Sequence, residues 1–334
     1  MKKIVLKLCT AFLPVILLFF VNLYFSTLFA DNLSDDMIAG KTVYTLANYN
    51  DRRLARKIVE KQDPVFETIV FSSSTGLQIG SEITGYRQQM NFSMTGGSLL
   101  DYIAILQLYE EQGRGFPNRV VLALNAGNFL GVKDPKQYED ISDIAVANFY
   151  GMKGSKWMKI FSNQLKAFIK ENLMFRFLIS GEYKIYKRKE DAPSPTRLYT
   201  MYPDGHRGYS EIHDKSFFMA KKAADLLDAP RVDSFPEGTA GYFNDIKRFC
   251  EARNIELVVF LLPLAPGPEG EPADDANHGA FARDLEDYAR KLSEGLTVRG
   301  TFLPYELNLT YEDFHDDESH MKQKNLKKVW DYIK

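Results

Sequence analysis

The stretch Glu67-Thr-Ile-Val-Phe-Ser-Ser-Ser-Thr-Gly-Leu-Gln-Ile79 decides the fold class. Thr68 to Phe71 reads as a buried strand that runs straight into Ser72, Ser73 and Ser74, and a helix-like segment opens at Thr75 or Gly76. Polar residues between a strand end and a helix start stand at the mouth of an α/β sheet. Helix N–H groups there point at whatever binds and favour negative charge. The same serines are also ordinary helix caps, so this stretch alone supports both a nucleophile and a cap.

Outward from it, strands alternate with helices. Gln89 to Met94 reads as a second short strand, followed by Thr95-Gly96-Gly97 and by Ser98, which caps a helix over Leu99–Gln112. Asn118 to Asn125 is a third strand, with the continuous apolar run of a parallel strand covered on both faces. A helix over Gly241–Arg253 leads into Ile255 to Pro263, the strongest strand signal of the chain. A Pro/Gly/Asp loop (Leu264 to Asn277), a helix from about Phe281 and a strand near Leu296 to Phe302 follow. This rhythm predicts an α/β fold, a three-layer doubly wound parallel sheet. It is interrupted between Asp134 and Lys189 by aromatic-rich helices with a basic second half, expected as a helical insertion over about 131–195. A basic amphipathic helix suits lipid headgroups, and a solvated covering helix gives the same pattern. Ser216 to Asp228 is expected to be helical.

The N-terminus carries Lys2, Lys3 and Lys7, then an uncharged apolar run from Leu8 to Ala30. That run is long enough to cross a bilayer as a helix. Lysines before it and Asp31, Asp35 and Asp36 after it predict a cytoplasmic N-terminus and an extracytoplasmic remainder. Leu28-Phe-Ala30 is a poor signal-cleavage site, so an uncleaved anchor is expected. The plan is an anchor over about 1–31, a stalk with one helix over about 32–63, and an α/β domain over about 64–334. The net charge of −2 argues against a nucleic-acid partner. Cys9 and Cys250 imply no disulfide framework.

A serine nucleophile needs a base, an acid to orient that base, and donors for the oxyanion. Of the five histidines, His320 has the best context, with Asp317 three residues before it. His206, in Asp204-Gly-His-Arg207, reads as part of a hairpin turn. His315, Asp316, Asp317 and His320 also offer metal-ligand chemistry, but no second cluster stands at a recognisable spacing.

The block order Ser72-Ser73-Ser74-Thr75, Asn91 to Ser98 with Gly96, Leu124-Asn125-Ala-Gly-Asn128 and Asp317-Glu-Ser-His320 resembles that of SGNH (GDSL-type) hydrolases. It is closest to their membrane-anchored branch, DltD-like proteins and the SGNH partners of polysaccharide O-acetylation systems. The resemblance spans roughly Glu67 to Lys334 outside the insertion. It implies a flavodoxin-like sheet with Ser74 as nucleophile, His320 as base and Asp317 as its orienting acid. The N–H groups of Ser74 and Gly96, with the side chain of Asn128 or Asn125, would form the oxyanion hole. Ser72 stands where the family has glycine, Thr75 where the branch often has arginine, and Gly-x-Asn-Asp is missing from the third block. The implied activity is a serine acyl-ester hydrolase or acyltransferase on a cell-envelope glycan, without metal or organic cofactor. A multi-pass O-acyltransferase of the MBOAT type is the implied partner. A non-catalytic envelope scaffold with the same fold is the rival expectation.

Overall fold

The computed structural model describes residues 2–45, 51–129, 142–173, 184–192, 199–208, 237–264, 276–314 and 320–333. At its centre is a five-stranded, all-parallel sheet built from β2 (Thr68–Phe71), β3 (Gln89–Asn91), β4 (Arg119–Leu124), β8 (Glu256–Leu261) and β9 (Thr297–Gly300). The strand order is β3-β2-β4-β8-β9. The chain leaves β2 toward one edge, then returns to place β4 on the other side of β2. That reversal creates a crevice outside the carboxyl ends of β2 and β4.

Alternate side chains along each strand enter two separate apolar clusters, one per face. Ile69, Phe71, Val120, Leu122, Val259 and Leu261 enter the larger cluster. Val70, Val121, Val258 and Phe260 enter the smaller one. The larger is covered by α2 (Asp51–Lys61), α4 (Leu99–Gln112), α7 (Glu237–Ala252) and α8 (Ala276–Leu292); the smaller by α3 (Ser81–Thr84) and α9 (Gln323–Trp330). Burial on both faces is why these strands read as unbroken apolar runs rather than as alternation. Helix α4 has the expected bounds and a capping box, with Asp101 as its third residue. Its burial reaches nearly all round, because α2, α7 and α5 (Ser142–Phe149) pack on it. Tyr102 stacks on Phe71 with ring centroids 5.1 Å apart.

The N-terminal helix α1 (Lys2–Ile38) is apolar and long enough to cross a membrane over Phe12–Ile38. Large apolar side chains from Phe12 to Leu28 are exposed, whereas Phe29, Ala30, Leu33 and Met37 are buried in the domain's own core. The segment expected as a stalk is therefore packed. Leu54, Ala55, Ile58 and Val59 of α2 enter the same core. Arg53 donates to the hydroxyls of Ser26 (2.7 Å) and Thr27 (2.9 Å), and Lys61 reaches Asp31 and Asp35. A helix whose apolar stripe is buried cannot act as a loose tether.

A second, antiparallel sheet was not anticipated. It is ordered β5-β1-β6-β7, from β1 (Val43–Thr45), β5 (Ile185–Tyr186), β6 (Tyr199–Met201) and β7 (Arg207–Gly208). The interval expected as a purely helical insertion does hold α5 and α6 (Ser155–Leu173), but β5 lies in it too. Strands β6 and β7 form the hairpin expected around Asp204. Its tip docks on the main sheet: Asn91 N–H donates to Asp204 O at 2.7 Å, and Arg207 N–H to Leu77 O at 2.7 Å. Gly205 makes this approach with φ +80°, and a Cβ there would stand 2.5 Å from Asn91 O. Gly205→Ala is expected to destabilise the protein by about 2–4 kcal/mol, from strain and steric clash together; urea denaturation checks it. The helix expected over Ser216–Asp228, most of the Leu264–Asn277 loop, and His213, His315, Asp316 and Asp317 lie outside the described residues.

Candidate active site

The crevice between β2 and β4 is lined by hydroxyls. After Phe71 the chain places Ser72 fully inside and Ser73 at 8% exposure, with Ser74 and Thr75 half-buried on a one-turn 3-10 helix, Ser74–Gly76. Ser72 cannot be a nucleophile in this arrangement. Its Oγ packs under Gly76, where an added Cβ would meet it at 2.4 Å, and its carbonyl accepts from Met94 N–H at 2.9 Å. The departure from glycine at this position is thus accommodated by a glycine four residues later.

Asn125, at the carboxyl end of β4, donates from Nδ2 to Ser73 Oγ (2.7 Å) and Thr75 Oγ1 (2.9 Å). Ser73 Oγ and Thr75 Oγ1 are themselves 3.0 Å apart. These contacts hold the two residues flanking Ser74 and so fix the turn that presents it. Asn128 has a different role. Its Oδ1 accepts the Asn125 N–H at 2.9 Å, while Asn125 Oδ1 accepts the Asn128 N–H at 3.2 Å. Asn128 thereby closes the turn that aims Asn125. Of the two asparagines, it is the amide of Asn125 that faces the serine turn.

Two residues with no sequence-level role complete the frame. Asn91 is buried, and its Nδ2 donates to Gly76 O (2.8 Å) and Ile79 O (3.0 Å) while its Oδ1 accepts Ser93 N–H at 2.7 Å. It laces the serine turn to the loop after β3. A polar side chain between Met90 and Phe92, inside an apolar run, was the available signal. Asp51 accepts Thr95 N–H at 2.7 Å and pairs with Arg207 at 2.5 Å, and the carboxylate and the guanidinium are both buried. On the other side of the same loop Asp101 accepts Ser98 N–H at 3.0 Å and is held by Arg52 in two bonds of 2.7 and 2.9 Å. Gly96 (φ +64°) and Gly97 sit between these clamps, and Gly97 leaves only 2.9 Å between a would-be Cβ and Ser72 O.

His320 is half-buried. The amide of Gln78 donates to the carbonyl of Met321 at 3.4 Å, and Met321 bridges Phe314, so the histidine's segment is tied to the serine turn. Asp317 lies among the residues not described.

No protein-family model matches this chain, and no curated protein matches it. The likeness to SGNH hydrolases therefore rests on its own motifs.

Among the described residues one grouping has the donors for a metal ion; His315, Asp316 and Asp317 lie outside them. It comprises Glu82, Asp204 and His206 at the hairpin tip. His206 stacks on Tyr202 and sets Nδ1 2.5 Å from Asp204 Oδ1; Asp204 Oδ2 accepts Ser81 N–H at 2.7 Å. The Ser81 bond docks the hairpin, and the contacts of His206 with Asp204 and Tyr202 brace its tip. Burial pushes the Asp204 carboxyl up, but the His206 bond and charge and the Ser81 N–H outweigh it, so it lies below the usual 3.8. A depressed carboxylate contributes stability above its unfolded value of about 3.9, and the contribution is lost as pH falls through the folded value. Asp204→Asn is expected to be less stable than the parent near neutrality and to converge with it in acid. Stability that differs equally at every pH would contradict this.

Proposed function

We propose that this chain is a membrane-anchored, extracytoplasmic serine acyl-ester hydrolase or acyltransferase acting on a cell-envelope glycan or related polymer. The observation that carries the reading is the hydroxyl turn Ser73–Thr75, gripped by Asn125 at the switch point of a parallel sheet. A switch-point crevice is where such sheets bind ligands. A turn held from the neighbouring strand presents its central residue, Ser74, in a fixed position, as a nucleophile requires.

In this reading His320 removes the Ser74 proton as Oγ attacks the acyl carbonyl, with Asp317 orienting the imidazole. The resulting oxyanion is met by the Ser74 and Gly96 N–H groups and by the Asn125 amide, which transfers one N–H from Thr75 Oγ1 to the substrate oxygen. Asn128, the other candidate donor, serves by holding Asn125. Protonated His320 passes its proton to the departing alkoxide, leaving an acyl-Ser74 ester. A sugar hydroxyl or water then attacks that ester, giving its proton to His320, which passes it to the leaving Ser74 Oγ, so that both side chains are regenerated. Acetyl is the simplest acyl group for this role, and an MBOAT-type membrane protein is the proposed donor partner. The chemistry needs no metal or organic cofactor.

Full-length protein in detergent is expected to turn over p-nitrophenyl acetate. Asn125→Ala is expected to lower kcat by about 10²–10³-fold, the usual cost of an oxyanion donor. Unchanged kcat in that variant would remove Asn125 from the oxyanion site. One observation favours the non-catalytic scaffold instead: both N–H groups of the Asn125 amide are already engaged by Ser73 and Thr75. That reading predicts no turnover by the parent protein.

A further inference from the structure

Helix α6 leaves an apolar stripe uncovered. Met158, Phe161, Leu165 and Ile169 are 57%, 40%, 47% and 41% exposed. Their spacing of three and four residues puts them on one line along the helix. Trp157 and Phe168 lie roughly a quarter-turn to one side by helical geometry, with Ile160 further round, and each is partly covered. Lys159 and Lys166 are exposed on the opposite flank of the stripe, with exposed Lys156 further round. The helix thus has a covered face, a bare apolar line and a cationic edge, in that order round its circumference. Soluble helices bury such a line; a helix lying in a bilayer interface exposes it to acyl chains while its lysines reach the headgroups. Tyr150 and Met152, in the turn before α6, are exposed as well.

Helix α6 also packs against α1, the helix whose exposed apolar side chains run from Phe12 to Leu28. The two uncovered apolar surfaces are therefore carried by contacting helices. Because α1 continues into the core without a loose tether, the height of α6 above the bilayer is fixed by the fold.

We infer that α6 lies in the headgroup region of the same membrane that α1 crosses, its Met158–Ile169 stripe in the acyl boundary and its lysines on anionic lipid phosphates. The inference rests on α1 being a membrane anchor, and does not depend on the serine chemistry. It gives the domain a second point of membrane attachment, which would stop rotation about α1 and hold the serine crevice in one orientation to the bilayer.

The test places a bimane label on Leu165→Cys, Leu17→Cys or Lys327→Cys in full-length Cys9→Ser protein. Cys250 will not compete for label, since it is buried and its thiol is pushed up to about 12, chiefly by that burial. Each protein is reconstituted into phosphatidylcholine–phosphatidylglycerol vesicles containing lipid brominated in its acyl chains. The Leu165 and Leu17 labels are expected to be quenched severalfold more than the Lys327 label. A quenched Leu17 label with a Leu165 label no more quenched than Lys327 overturns the inference, and would mean that water or a protein partner meets the stripe. If Leu17 is also unquenched, the anchor reading fails and this one with it. Equal Leu165 quenching in phosphatidylcholine alone overturns the assignment to anionic headgroups.

Discussion

Ser74→Ala is expected to reduce turnover of p-nitrophenyl acetate by on the order of 10⁴-fold or more, the scale seen when a serine enzyme loses its nucleophile. The turn should survive the change, because its hydrogen bonds from Asn125 go to Ser73 and Thr75. Ser73→Ala supplies the contrast. It removes one of the two Asn125 contacts and loosens the turn, so activity should fall by about tenfold rather than vanish, with a stability loss of about 1 kcal/mol. The reverse pattern, with Ser73→Ala inactive and Ser74→Ala unaffected, would move the nucleophile by one residue. Steady-state kinetics on both variants, with circular dichroism to show that each is folded, separates these outcomes.

The largest stability effect is expected at Asp51. Its carboxylate is buried, pairs with a buried Arg207 and accepts the N–H of Thr95. Asp51→Ala leaves the guanidinium uncompensated and the amide unmet, a combination that costs about 3–5 kcal/mol. Asp51→Ala with Arg207→Met should recover much of the loss, since a buried charge without its partner is worse than an apolar pair of similar size. The effect should reach the chemistry too. Thr95 precedes Gly96, so a freed Thr95 lets the proposed oxyanion loop drift. Urea unfolding of the full chain measures the first effect, and kcat in the double variant measures the second. A double variant as unstable as the single one would show that the ion pair is not the source of the loss.

What was legible in the sequence follows the range of the interactions involved. The central parallel strands were readable because they are covered on both faces, which forces unbroken apolar runs such as Val120 to Leu124 and Leu257 to Leu261. Helix α4 was readable to the residue because its cap is local: Ser98 and Asp101 are three residues apart, and Gly113 ends the helix at φ +62°. The antiparallel sheet was not readable. Its strands have two or three residues, too few for a period, and β1 pairs with β5 and β6 across some 140 residues of chain. The packing of the supposed stalk was missed for a related reason. A run such as Leu33 to Met37, with Ser34, Asp35 and Asp36 between its apolar ends, reads as a polar stalk until the surface that buries it is known.

The site divides the same way. The serine turn and its position at a strand end were legible from Glu67 to Ile79, as was an asparagine at the end of β4. Which asparagine faces the turn depends on a side-chain exchange between Asn125 and Asn128 that spacing cannot resolve. Asn91 and Asp51 act on backbone groups of other segments, such as Gly76 O and Thr95 N–H, and such contacts leave no motif behind.

Covalent trapping tests the central claim most directly. Full-length protein is incubated with a fluorophosphonate, which phosphonylates only an activated serine, and the adduct is mapped by peptide mass spectrometry. The account predicts one modified residue, Ser74, and no adduct when His320 is replaced by alanine. An adduct on Ser73 or another serine, or none on the folded parent protein, would contradict it.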